Sequence, residues 1–148
     1  MTGARGLFLP NYYEYYGAPV KIVETETGGM RAWKLSSRHG GWEAANDIID
    51  EILFAVGGEI FVLPREEFVQ EVERYRAYYL SGEGPVFALY ETVDAVITQA
   101  EDREKRYLND DELALVHGIR RKTFVMFEEQ LQRQGDPGAD PSVAQPQE

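Results

Sequence analysis

Apolar and charged residues alternate over residues 20–25 and again over 30–35, and a period of two predicts two β-strands. Glu26-Thr27-Gly28-Gly29 lies between them and supplies glycines able to take positive φ, so the pair is expected to close as a hairpin. From Trp42 the period changes. Ala45, Ile48, Ile49, Ile52, Leu53 and Val56 recur at helical spacing, Glu43, Asp47, Asp50 and Glu51 fall outside that stripe, and Gly57-Gly58 offers a stop. Residues 59–63 form an apolar run too short for a helix and bounded by Pro64, which predicts a third strand.

Pro64 suits the start of a second helix, where a missing N–H costs nothing, and Phe68, Val72, Tyr75 and Tyr79 form its predicted inner stripe. Gly84-Pro85 leads into a third helix, with Leu89, Val93, Val96, Ile97, Ala100 and Tyr107 inward. A fourth begins near Asp110 and turns Leu113, Val116, Phe124, Phe127 and Leu131 the same way. Asn109 is its expected N-cap, and Asp110, Asp111 and Glu112 meet the positive end of its dipole. The pattern therefore predicts an α+β fold. An N-terminal β-hairpin and a short third strand pack against about four α-helices, and the last two helices form an antiparallel helical hairpin. Residues 1–134 are expected to form one domain. Residues 135–148, rich in proline, glycine and small side chains with no aromatic, are expected to be a disordered acidic tail.

Composition narrows the chemistry. A chain of 148 residues is the size of one ordinary domain. It has no cysteine, which excludes disulfides, thiolate metal sites and cysteine nucleophiles and points to a reducing cytosol. The apolar run at residues 7–9 is far shorter than a signal peptide core or a membrane span, so no membrane association is expected. The net charge of −11 is concentrated after residue 41; the first 41 residues are slightly basic. Nucleic acid is disfavoured by that balance, whereas a basic protein partner is favoured.

No motif of known chemistry stands out. The glycine doublets match neither phosphate-binding loop pattern, residues 101–111 lack the calcium-loop order, and His39 and His117 have no metal-ligand spacing. No metal or cofactor is expected. Ser36-Ser37-Arg38-His39-Gly40-Gly41 gathers hydroxyls, a guanidinium and an imidazole into one loop. Its simplest reading is a strand end and turn, with an anion held by Arg38 and the amino terminus of the following helix as the alternative. Arg120-Arg121-Lys122 reads as a solvated helix face, because one turn cannot present all three side chains to one ligand.

Tyr12-Tyr13-Glu14-Tyr15-Tyr16 places four tyrosines in five positions. In an extended chain Tyr13 and Tyr15 face one way and Tyr12 and Tyr16 the other, so one set can cover the core while the other meets a partner. The leading functional expectation is a small acidic binding module of the inhibitor, immunity, antitoxin or adaptor kind. It would engage a basic protein through Tyr12, Tyr13, Tyr15, Tyr16, Glu43, Asp47, Asp50, Glu66 and Glu73. Two alternatives stand beside it. One is a small enzyme or ligand-binding domain with an aromatic pocket near Trp33, Arg38, His39 and Trp42, with Tyr13 and Tyr15 in its wall. The other is a subunit of a larger phage or secretion assembly, docked through the tyrosine-rich arm and the tail.

Overall fold

Tyr16 (φ 47°) and Gly17 (φ 87°) both adopt positive φ, and this two-residue turn joins β1 (Asn11–Tyr15) to β2 (Ala18–Glu24). The expected turn at Glu26 to Gly29 then joins β2 to β3 (Met30–Leu35), with Val20 opposite Lys34. β4 (Trp42–Ala44) adds to β3, and β5 (Ile60–Leu63) adds to the far side of β1. The result is a five-stranded antiparallel sheet of order β4-β3-β2-β1-β5 in an α+β fold. The computed structural model describes residues 8–54 and 58–145.

The hairpin, the strand near residue 60 and the helix starts at Pro64, Pro85 and Asn109 lie where the pattern predicts them. Helix α2 is Arg65–Tyr79, α3 is Pro85–Ile97 and α4 is Asp110–Arg133. Asn109 and Glu112 form a reciprocal capping box at the head of α4. Helix α3 runs on into a wider π turn, Thr98–Arg103, and α4 packs against both α2 and α3.

Three expectations need correction. Trp42 begins a strand rather than a helix. Ala45 N–H bonds Ala32 C=O and Asn46 Oδ1 accepts from Ala32 N–H, so the chain stays on the sheet until a 3-10 turn at Asn46–Ile48 and the short α1 (Ile49–Leu53). The predicted end of that helix at Val56 and Gly57 lies outside the described residues. The first hairpin, β1–β2, was hidden because tyrosine is an unusual first turn residue.

The third correction concerns residues 135–145, which are not a loose tail. Asp136 Oδ2 accepts from Trp42 N–H at 3.0 Å, Asp140 N–H donates to Glu128 Oε1 at 2.8 Å, and Val143 and Ala144 join the core from a 3-10 turn. Gly138 lies so close to the indoles that an added Cβ would stand 2.5 Å from Trp42 and 2.9 Å from Trp33. Glycine and small residues here allow close packing against the two tryptophans.

Alternation along the strands divides the core in two. Tyr12, Trp33, Leu35, Trp42 and Leu63 face α2, α4 and the C-terminal turn, while Tyr13, Val20, Ile22 and Ala32 face Ile49 and Ile52 of α1. Among the described residues no helix is long and apolar enough to cross a membrane.

Candidate functional site

The Ser36–Gly41 loop serves the fold. Ser36 is buried, and its Oγ accepts from the N–H groups of Arg38 and His39, which leaves it no role as a nucleophile. His39 Nδ1 accepts from Gly41 N–H at 3.1 Å, and its Nε2 lies 3.6 Å from Glu43, which also meets Arg38. Arg38, His39 and Glu83 line a cleft of about 280 Å³, at the lower edge of the roughly 300–1,000 Å³ of small-molecule sites. Trp33 and Trp42 are in the core rather than in its wall, and Tyr13 and Tyr15 lie on the opposite face of the sheet. The expected aromatic pocket is therefore not assembled.

Gly40 explains why this loop is fixed. Its φ is 76°, an added Cβ would sit 2.7 Å from both Leu80 and Phe127, and its carbonyl accepts from Arg76 Nε at 2.9 Å. Arg76 is wholly buried. It donates to Glu73 Oε2 at 2.8 Å and to Glu128 Oε2 at 2.5 Å, and its guanidinium lies 4.1 Å from the centre of the Phe127 ring. Trp42 Nε1 donates to the same Glu128, and Tyr90 OH donates to Glu73 at 2.8 Å. Lys21 is buried 4.6 Å from the Trp42 ring, so two cations face two carboxylates in one closed cluster.

Burial is the largest influence on Glu73, Lys21 and Arg76. It raises the Glu73 pKa against the pull of Arg76, lowers that of Lys21 against Glu128, and opposes the charge of Arg76, which Glu73 and Glu128 nevertheless hold above its usual value. Burial beside Glu73 also pushes the Tyr90 hydroxyl well above the usual tyrosine range. Arg76, Glu73, Glu128, Trp42 and Tyr90 are joined by hydrogen bonds, and this is the chemistry of a clamp between α2, α4 and the sheet.

The residues expected to meet a partner separate into two groups. Tyr12 and Tyr13 are core, and Glu73 belongs to the clamp, so these three are corrected from surface to interior. Glu43 and Glu66 are outside but already paired, with Arg38 and Arg121 respectively. The structure does bring Tyr15, Tyr16, Asp47 and Asp50 together on the α1 side. Tyr15 OH donates to Glu51 at 2.7 Å and Tyr16 OH at 3.4 Å, and the Glu51 bond is the main reason that the Tyr15 pKa is pushed up to about 12, with Asp47 adding to it. Asp47 and Asp50 are exposed and form no ion pair among the described residues.

Apolar groups missed in the sequence lie on the same side. Phe54 is 74% exposed at the end of α1, and Val62 is 76% exposed on β5, opposite Tyr13 in the register and so on the α1 face. The usable signal was the strand period: once β5 pairs with β1, Val62 must share a face with Tyr13.

A cavity of about 780 Å³ opens between α2, α3 and α4, floored by apolar side chains and rimmed by Arg74, Arg120, Glu91, Asp94 and Glu101. Among the described residues no group of three or more histidines or carboxylates is placed to hold a metal ion. Comparison of the chain with protein-family models, curated proteins and solved structures finds no match. What the fold and site define is a class: a small acidic α+β protein with a sealed ionic core and open charged surfaces.

Proposed function

We propose that the protein is a binding module that engages a basic partner protein through the α1 side of the sheet. The observation that carries this reading is the combination of Asp47 and Asp50, which form no ion pair among the described residues, with exposed Tyr16, Phe54 and Val62 on one side of the molecule. Unpaired carboxylates attract and orient a cationic surface at low ionic strength, while aromatic and apolar groups supply the contact area that holds it. The net charge of −11 adds long-range attraction for the same kind of partner.

The test is capture of basic proteins from an extract of the source cells, with wild type and the double variant Asp47→Lys/Asp50→Lys side by side at low and high salt. The reading predicts partners retained by wild type, weakened by salt and lost from the variant. Retention of the same partners by the variant would remove the α1 side from consideration.

A further inference from the structure

The cavity between α2, α3 and α4 lies on the other side of the sheet from α1, and its lining follows helical periodicity. Arg74, Ala77 and Tyr78 come from α2 and Ser81 from the segment just after it, Phe87, Glu91, Asp94 and Ile97 from α3, and Leu113, Val116, His117 and Arg120 from α4. Spacings of three and four place each set on one stripe of its helix. Its volume of about 780 Å³ falls within the roughly 300–1,000 Å³ of ligand sites.

Its charges are sorted by wall. Arg74 and Arg120 stand on α2 and α4, while Glu91 and Asp94 stand on α3 and Glu101 on the π turn that follows it. Among the described residues no ion pair closes between the two walls, although Arg74, Arg76, Arg106 and Arg121 each meet a glutamate elsewhere. Arg120 is half-buried and closes no ion pair among the described residues; burial, then the neighbouring Arg74, lowers its pKa against the pull of Glu71 and Glu73. A guanidinium in that setting favours an incoming carboxylate, and the acidic wall favours a cation at the other end.

We propose that this cavity binds a small zwitterion with an apolar body, in chemical class a short hydrophobic peptide. Arg120 holds its carboxylate, beside an Arg74 already bonded to Glu71, and Glu91, Asp94 and Glu101 hold its ammonium. Phe87, Val93, Ile97 and Val116 receive the side chains. The site is independent of the α1 surface.

Calorimetric and NMR titrations with four probes test it: the tripeptide Leu-Leu-Leu with free ends, the same peptide acetylated and amidated, octanoate, and octylamine. Saturable binding of the free tripeptide is expected, at least ten-fold tighter than any of the other three. Arg120→Gln should weaken the free tripeptide about ten-fold and leave the capped one unchanged, and Glu91→Gln/Asp94→Asn should do the same from the other end. These side chains are exposed or half-buried, so far-ultraviolet circular dichroism should report folded variants. Absence of saturable binding by the folded wild type at millimolar tripeptide would overturn the proposal. Equal affinity for the capped peptide, or octanoate binding as tightly as the tripeptide, would overturn it as well.

Discussion

The inner sides of α2 and α4 hold Glu73, Arg76 and Glu128 with almost no exposure to water, whereas the 3-10 turn before α1 holds Asp47 and α1 holds Asp50 with no ion pair among the described residues. Both regions present carboxylates on helical segments, but with opposite consequences. Inside, each charge has a partner and each partner has a second bond, so the group holds elements together and has no capacity left for a ligand. Outside, the charge is stabilised by water and available to whatever approaches. An acidic side chain is thus informative about binding only after the internal pairs have been found.

Breaking the inner region should have the largest effect. Arg76→Met leaves Glu73 and Glu128 buried without their cation, and equilibrium denaturation should register a loss of about 3–5 kcal/mol or outright failure to fold. A variant as stable as wild type would show that the clamp contributes nothing. Trp42→Phe keeps a ring beside Phe68 but removes the donor to Glu128, and the same denaturation should show a loss of roughly 1.5–3 kcal/mol.

A third perturbation concerns the partly buried Arg106–Glu112 pair. Bonds from Arg106, then from the Asn109 backbone N–H, lower the Glu112 pKa from 4.5 to about 2. A carboxyl whose folded value is depressed stabilises the fold above its ordinary value and loses that contribution as pH falls. The head of α4 should therefore weaken between about pH 4.5 and about pH 2. The side-chain NMR shift of Glu112 should titrate with a midpoint near the lower end, and Glu112→Gln should make the Asn109 amide shift insensitive over that window. Smallest of all, Asp47→Asn/Asp50→Asn should change stability by less than about 0.5 kcal/mol in the same denaturation, because neither side chain has an internal partner among the described residues to lose.

Much of the scaffold was legible because its signals are local. Gly28 and Gly29 mark the second hairpin, Pro64 and Pro85 mark helix starts, and Asn109 with Glu112 marks a cap. The ionic core was not legible, because reading Glu73 as a surface residue follows from its type. Position gave the available clue: Arg76 continues the stripe of Phe68 and Val72, and Glu128 lies four residues after Phe124. Two charges of opposite sign on facing apolar stripes are the signature that composition alone conceals. Tyr79, read as core, is half-exposed because Arg76 occupies the last inward turn of α2 in its place. The 3-10 turn at Pro141–Ala144 was missed because its burial depends on two tryptophans about a hundred residues away.

The most direct measurement of the account is an amide-resolved NMR titration of the protein with a short lysine- and phenylalanine-containing peptide at low salt. If the α1 side is the surface left open for a basic partner, the largest shift changes fall on Tyr16, Asp47, Asp50, Phe54 and Val62, and they disappear in Asp47→Lys/Asp50→Lys. Changes spread evenly over the acidic helices, or centred on residues 91–102, would contradict it.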